Sequence, residues 1–409
     1  MTMAVVWQHC FFMKNGLQRM RRWVGACVIA GLAFSCFAEE VQLRAAEYLQ
    51  AGSGDLTVGT FAIPCVTDWN GDGKKDLLVG YQTAGKIALY LNTETNDDPV
   101  FSATPTLLKA NGVDIQYTSS GCGSPCPFVC DYDNDGKRDL LVGQGANGYV
   151  YFYRNTNRDS DPVLAAPIQL KEGSNPLTVT WRATPYTCDW DGDGKIDLLC
   201  GCGDGWVYFY KNIGTAQSPT NATGTRIKAA GTDLFMGIRS VVRVFDWDGD
   251  GLQDLVGSSS NSVYWCRNTN TVATATPLLA APTSLRSAAS AGGLANIFLN
   301  PTGTARMRLD VCDWNNDGAT DLLIGISDGK VALFKGYRFA FSIISTEPCG
   351  GHVFQWNSTE YLYYDIMAGD TITGITNRVA ANIKWGGEST TWTNVCGMQS
   401  QFYRIKIAQ

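Results

Sequence analysis

Five nine-residue segments of this chain follow one template: Asp, aromatic, Asp or Asn, any residue, Asp, Gly, two variable residues, Asp. They are Asp68-Trp69-Asn70-Gly71-Asp72-Gly73 closing at Asp76, Asp131-Tyr132-Asp133-Asn134-Asp135-Gly136 closing at Asp139, and Asp189-Trp190-Asp191-Gly192-Asp193-Gly194 closing at Asp197. Asp246-Trp247-Asp248-Gly249-Asp250-Gly251 closing at Asp254 and Asp313-Trp314-Asn315-Asn316-Asp317-Gly318 closing at Asp321 complete the set. Their starts lie 63, 58, 57 and 67 residues apart. Self-similarity at a period near sixty residues means one supersecondary unit repeated, each copy burying its apolar face against the next.

The spacing has a chemical reason. Calcium takes six to eight oxygen ligands in a forgiving geometry, and a tight turn brings alternate side chains to one side. The candidate ligands are the side chains at positions 1, 3, 5 and 9 and the backbone carbonyl at position 7. Loop by loop they are Asp68, Asn70, Asp72, Lys74 and Asp76; Asp131, Asp133, Asp135, Lys137 and Asp139; Asp189, Asp191, Asp193, Lys195 and Asp197; Asp246, Asp248, Asp250, Leu252 and Asp254; Asp313, Asn315, Asp317, Ala319 and Asp321. Gly at position 6 permits the positive φ that sharpens the turn, and the Asp at position 9 is expected to close the cage in bidentate fashion. Five acidic turns without a cation would leave three or four crowded carboxylates repelling one another. Up to five calcium ions are therefore expected.

The loops are not EF-hands. Their twelfth positions are Val79, Val142, Cys200, Gly257 and Ile324, never Glu, and no amphipathic helix flanks them. Each runs instead into a short apolar strand such as Leu77-Leu78-Val79-Gly80, then an aromatic strand such as Tyr149–Tyr153 or Trp206–Tyr210 that usually ends in Asn (Asn92, Asn155, Asn212, Asn268). A strand before the loop, one after it, an aromatic third and a variable fourth amount to a propeller blade. These units resemble FG-GAP/VCBS repeats, the calcium-loop blades of integrin α-subunit propellers and of many exported bacterial proteins. The resemblance covers roughly residues 40–340; it implies an all-β fold, a β-propeller with calcium loops, and leaves the biological role open among adhesion, glycan binding and support of an enzyme. The count of loops predicts five blades, with a degenerate sixth as the alternative and a long loop over Leu285–Gly303. Val41–Leu49 precedes the first loop without a partner and is expected to complete the fifth blade, removing open sheet edges.

Beyond about Tyr337 the period disappears. Alternating strands at Phe339–Ser345, Val353–Trp356, Tyr361–Ile366 and Phe402–Ile407 predict a small β-sandwich module over residues 337–409, following a propeller over 39–336. The first 38 residues read as a signal peptide: a basic region ending Arg21-Arg22, an apolar run Trp23–Phe34, and small residues before Glu39. Lipoprotein processing at Cys36 is the lesser alternative. Removing that segment takes the net charge from −6 to −10, because it carries four cations and no acid. Such a chain lacks the clustered Lys and Arg that phosphate backbones need, so nucleic acid is excluded as a partner. No later segment is apolar enough to span a bilayer as a helix, and we expect a secreted or cell-surface monomer.

Of two histidines, only His352 lies beyond the leader, which disfavours histidine zinc sites and Ser-His-Asp chemistry. Cys130, Cys188 and Cys312 each precede a repeated Asp and are expected to be small buried hydrophobes. Cys200 and Cys202 share one strand face and cannot readily bridge. Cys122 with Cys126, and Cys349 with Cys396, are the disulfide candidates. The aromatic at loop position 2 fits packing between blades better than sugar stacking, since every repeat has it. The functional expectation is an exported, non-enzymatic recognition or adhesion protein for a glycan or extracellular protein ligand. The alternatives are a propeller scaffold of an extracellular carbohydrate-active enzyme and a purely structural surface component.

Overall fold

The computed structural model describes residues 42–117, 124–272, 276–288, 294–297 and 306–337, a hairpin of Ala26–Ile29 with Leu32–Ser35, and six strands between 341 and 407. Apart from that hairpin, the expected leader lies outside the described residues, as does the pair Cys349 and Cys396. Among the described residues there is no helix.

Five four-stranded antiparallel sheets form the blades. In the first, Ile63–Thr67 is innermost, followed outward by Asp76–Tyr81, Lys86–Tyr90 and Thr106–Leu107. The second to fourth repeat this order from Cys126–Cys130, Thr184–Cys188 and Val241–Phe245. The fifth takes Arg308–Cys312, Asp321–Gly325 and Val331–Phe334 from its own repeat and its outer strand from the other end of the chain: Glu47 pairs with Leu333 and Tyr48 with Ala332. Innermost strands pack successively around the ring, and Arg308–Cys312 against Ile63–Thr67 closes it. Among the described residues there are thus five blades and no sixth. Within 285–303, Arg286–Ala288 and Leu294–Asn296 pair as a hairpin, matching the small hairpins that follow the outer strands of the first three blades.

Both faces of each second strand are apolar because each packs against a different neighbour. Leu77 and Val79 lie in the core shared with the fifth blade, while Leu78 lies in that shared with the second; Leu322 and Ile324 alternate with Leu323 in the same way. Each such leucine is fully buried, a contribution of about 1.5–3 kcal/mol by area. The repeat glycine ending this strand has a steric origin. A Cβ at Gly80, Gly143 or Gly325 would overlap the backbone carbonyl of Pro125, Ala183 or Ala62, where the next blade's inner strand begins. In the fourth blade, Val241 pairs with Ser258, so Ser258 and not Gly257 holds this position. Its hydroxyl donates to the corresponding carbonyl, that of Met307, at 3.2 Å.

Two three-stranded sheets follow the propeller: Phe341–Thr346, His352–Asn357 and Ser389–Thr393, then Asn377–Lys384, Tyr363–Gly369 and Phe402–Ile407. Phe354 stacks on Trp392 with ring centres 5.6 Å apart. The strands Asn377–Lys384 and Ser389–Thr393 are additional to those the alternation pattern marks.

Cys126 is a free, buried thiol at the head of the second blade's inner strand, so the expected Cys122–Cys126 bridge is not formed; Cys122 lies outside the described residues. Cys200 and Cys202 are likewise free and buried. Cys130, Cys188 and Cys312 end their inner strands as free, half-buried thiols.

Candidate metal centres

Each acidic loop joins a blade's inner strand to its second strand, so all five lie at one end of the ring. Two left-handed residues shape each turn. Position 6 is Gly with φ between 82° and 87° in every loop. Position 4 is Gly71, Asn134, Gly192, Gly249 or Asn316, also at positive φ. Glycine and asparagine tolerate this region best, and their restriction to position 4 was a readable signal that the sequence template passes over.

The carboxylates are held by backbone donors in a common pattern. At position 1, Asp68, Asp131, Asp189, Asp246 and Asp313 each accept the N–H of the position-6 glycine at 2.9–3.0 Å. At position 5, one oxygen accepts the N–H of position 7 at 2.7–3.0 Å. At position 9, both oxygens are engaged: Asp76 accepts from Trp69 and Asn92, Asp139 from Tyr132 and Asn155, Asp197 from Trp190 and Asn212, Asp254 from Trp247 and Asn268, and Asp321 from Trp314 and Gly336. The position-9 aspartate therefore ties the loop to the end of the third strand. The strand-ending asparagines extend this tie, since Asn92, Asn155, Asn212 and Asn268 each accept two further backbone N–H groups from the connection to the fourth strand.

The carboxylates also converge. Asp131, Asp133 and Asp139 offer oxygens within 4.8 Å of one another, as do Asp189, Asp191 and Asp197, and Asp246, Asp248 and Asp250. Burial pushes the position-9 carboxyls up, Asp139 and Asp321 to about 6 and Asp254 to about 7. Four loops hold a buried carboxylate oxygen with no hydrogen-bond partner: Oδ1 of Asp133, Asp191, Asp246 and Asp313. A buried carboxylate oxygen without a partner is costly, and a hard divalent cation is what such a donor set fits.

A charge compensation runs through the repeats. Where position 3 is Asp, the residue ending the third strand is basic and binds the outward oxygens. Arg154 meets Asp133 at 2.7 Å and Asp135 at 3.2 Å, Arg267 meets Asp248 and Asp250 at the same distances, and Lys211 meets Asp191 and, at 2.9 Å, Asp193. Where position 3 is Asn, its amide takes that place, Asn70 donating to Asp72 and Asn315 to Asp317. The equivalent strand-end residues are then Leu91 and Lys335, the latter paired with Glu47 instead. An aspartate at position 3 is thus matched by a strand-end cation, and further cations reach three of the cages: Lys137 lies 3.4 Å from Asp135, Lys195 3.4 Å from Asp193 and Arg138 3.8 Å from Asp68.

The position-2 aromatics are all buried, Trp314 completely. Each lies in the core between its own blade and the next, Trp69 between first and second and Trp314 between fifth and first. They pack; they do not face a ligand.

Residues 189–256 and 246–324 match the family model of the FG-GAP-like repeat. This chain carries FG-GAP-like repeats on a five-bladed β-propeller. The first two loops lie outside the matched stretch yet share its hydrogen bonds. Integrin alpha-4 of Xenopus laevis is 26% identical over 173 residues, which is 40% of this chain and 16% of that protein. Among solved structures, a lectin of Agrocybe aegerita that recognises non-reducing terminal N-acetylglucosamine aligns over 90% of this chain and 98% of its own, at 15% identity and a TM-score of 0.37. The Photorhabdus luminescens Tc holotoxin pore aligns over 78% of this chain and 14% of its own, at 16% identity and a TM-score of 0.32. Neither structural likeness bears on function. Among the described residues, no helix is long and apolar enough to cross a membrane.

Proposed function

We propose that this FG-GAP propeller is exported and stapled by calcium, and that it acts without catalysis as a recognition or adhesion protein for a glycan or extracellular protein. The observation that carries the calcium assignment is the partnerless inward oxygen repeated at Asp133, Asp191, Asp246 and Asp313. The ligands would be the side chains at positions 1, 3, 5 and 9 with the position-7 carbonyl, in the first loop Asp68, Asn70, Asp72, Asp76 and the carbonyl of Lys74. Calcium would supply charge neutralisation and rigidity there, not a reacting centre. Equivalence of the cages supports the non-enzymatic reading: a catalytic carboxylate pair needs one cage to differ from the rest, whereas every position-9 carboxylate is engaged by the same two backbone donors. The partial likeness to an integrin α-subunit fits a surface role.

A glycan and matrix-protein array probed with the full chain, in calcium and after chelation, tests this. Saturable, calcium-dependent binding without product formation is the expected result. Turnover of a polysaccharide by the pure protein would overturn the non-enzymatic assignment.

A further inference from the structure

At the end of the ring opposite the acidic loops, the five inner strands begin, and there the repeats stop being alike. Two residues before each inner strand stand Phe61, Ser124, Arg182, Arg239 and Arg306. Phe61, Arg182, Arg239 and Arg306 all have positive φ, between 50° and 66°. The backbone shape belongs to the fold: the N–H groups of Phe61, Arg182 and Arg239 bond to carbonyls of the preceding blade, those of Ser327, Gly145 and Gly203. Glycine or asparagine would hold such a turn at least cost, so three arginines here ask for a reason outside the backbone.

A fourth arginine lies just inside. Arg308 heads the fifth blade's inner strand, is 2% exposed, and donates to the Met307 carbonyl at 2.9 Å. Burial holds its pKa well below the usual arginine value, and after burial the groups that bear most on it are Arg182, the opposing Cys126 thiol, Arg239 and Arg306. Geometry gathers the others at the same mouth: the inner strands pack successively around the ring, and Arg182 and Arg239 both lie over the Trp181 ring, at 5.4 and 5.3 Å. Among the described residues no salt bridge to a carboxylate is found for Arg308. A buried ion pair, Arg243 with Asp310 at 2.5 Å, lies deeper in. The segments leading into Ser124 and Arg306, residues 118–123 and 298–305, contain no Asp or Glu. Independently, the Ser124 hydroxyl is buried and has no hydrogen-bond partner.

The geometry points to an oxyanion-binding site at this channel mouth, formed by Arg308, Arg182, Arg239, Arg306 and the Ser124 hydroxyl, taking a carboxylate, sulfate or phosphate group carried by the ligand. Clustered guanidinium donors suit planar and tetrahedral oxyanions better than any neutral group. Arg306 lies over the Phe61 ring at 4.4 Å and Arg239 over Trp181 at 5.3 Å, which steadies both side chains. An acidic chain with a basic pocket at one end also selects against cations there. This assignment rests on the recognition reading only in naming its ligand's chemistry. It does not need the calcium loops, which lie at the other end of the inner strands.

The test uses the full-length, calcium-loaded protein titrated calorimetrically with sodium sulfate, phosphate or acetate, against chloride at matched ionic strength. Saturable binding of at least one oxyanion is expected, with a rise in melting temperature that levels off, unlike the unsaturating effect of salt exclusion. Arg306→Gln is expected to weaken that binding at least tenfold. Arg308→Met should abolish it while raising the melting temperature in chloride, because it removes a buried charge with no carboxylate partner. Oxyanions indistinguishable from chloride, or both variants binding like the parent, would overturn the site. Chelation of the Arg306→Gln protein separates the two claims, since the calcium-dependent melt should persist there unchanged.

Discussion

Chelation should turn the acidic loops from staples into sources of repulsion. A site held at a hundred times its dissociation constant adds about 2.7 kcal/mol to folding. The four loops with a partnerless buried oxygen would then contribute about 11 kcal/mol, similar to the ~5–15 kcal/mol net stability of a whole domain. At roughly 2–4 °C per kcal/mol for a domain of this class, calcium withdrawal should lower the melting temperature by about 20–40 °C. Scanning calorimetry before and after EDTA, with the residual metal measured by mass spectrometry, gives the number. Calcium added back should restore the melt. Magnesium should restore less, because it demands octahedral geometry and gives up water reluctantly. A melt unchanged after verified removal of the metal would refute the reasoning, since buried carboxylate oxygens without partners cannot be both crowded and free of cost.

Four further outcomes follow from particular residues. Arg154→Gln should destabilise the chelated protein by about 0.5–1 kcal/mol, the worth of an exposed ion pair, and Asp133→Asn should recover most of it by copying the first loop; strictly additive effects in denaturant titrations would contradict the compensation. Gly143→Ala should cost more than about 3 kcal/mol because its Cβ meets the Ala183 carbonyl, whereas Ser258→Gly, losing one hydrogen bond, should cost about 1 kcal/mol; equal effects would reject the close-approach argument. Trp314→Ala should cost about 3–5 kcal/mol and leave ligand affinity per folded molecule unchanged, and a selective loss of glycan binding would revive a stacking role. Deleting residues 39–49 should expose the edge of Val331–Phe334 and produce concentration-dependent aggregation by light scattering; a monomeric, equally stable product would show that the fifth blade does not need its outer strand.

The repeat spacing, the position-6 glycine and the strand-ending asparagine were enough to give the blade, because each enforces a local backbone event that recurs. Closure by Glu47–Tyr48 was also legible, since an unpaired N-terminal strand and a fifth blade short of one strand complete each other. What stayed hidden depends on residues far apart in sequence. Arg154 compensates Asp133, and nothing in a local window links a loop position to the end of a strand two turns later. The position-9 aspartate reads as a ligand from its spacing, yet its tie to the third strand appears only once Asp76 and Asn92 are side by side. The fourth repeat looks shortened by one residue, and only the pairing of Val241 with Ser258 shows that the strand keeps its length and changes its glycine for serine.

The two ends of the inner strands therefore carry opposite kinds of information. At the loop end, the charge at position 3 is relieved in all five copies by one of two routes, a basic strand-end residue or an asparagine, which is what a scaffold requires if no blade is to be its weak point. Toward the other end, the third residues of the inner strands are Cys65, Phe128, Tyr186, Arg243 and Asp310, no two alike. The Arg243 guanidinium lies within 5.6 Å of the Phe128 and Tyr186 ring centres and is neutralised by Asp310, so these residues form an asymmetric plug. Above it stand Arg182, Arg239, Arg306 and Arg308. A ring of equivalent blades can single out a unique ligand only where its equivalence fails, and here it fails at the arginine mouth of the channel.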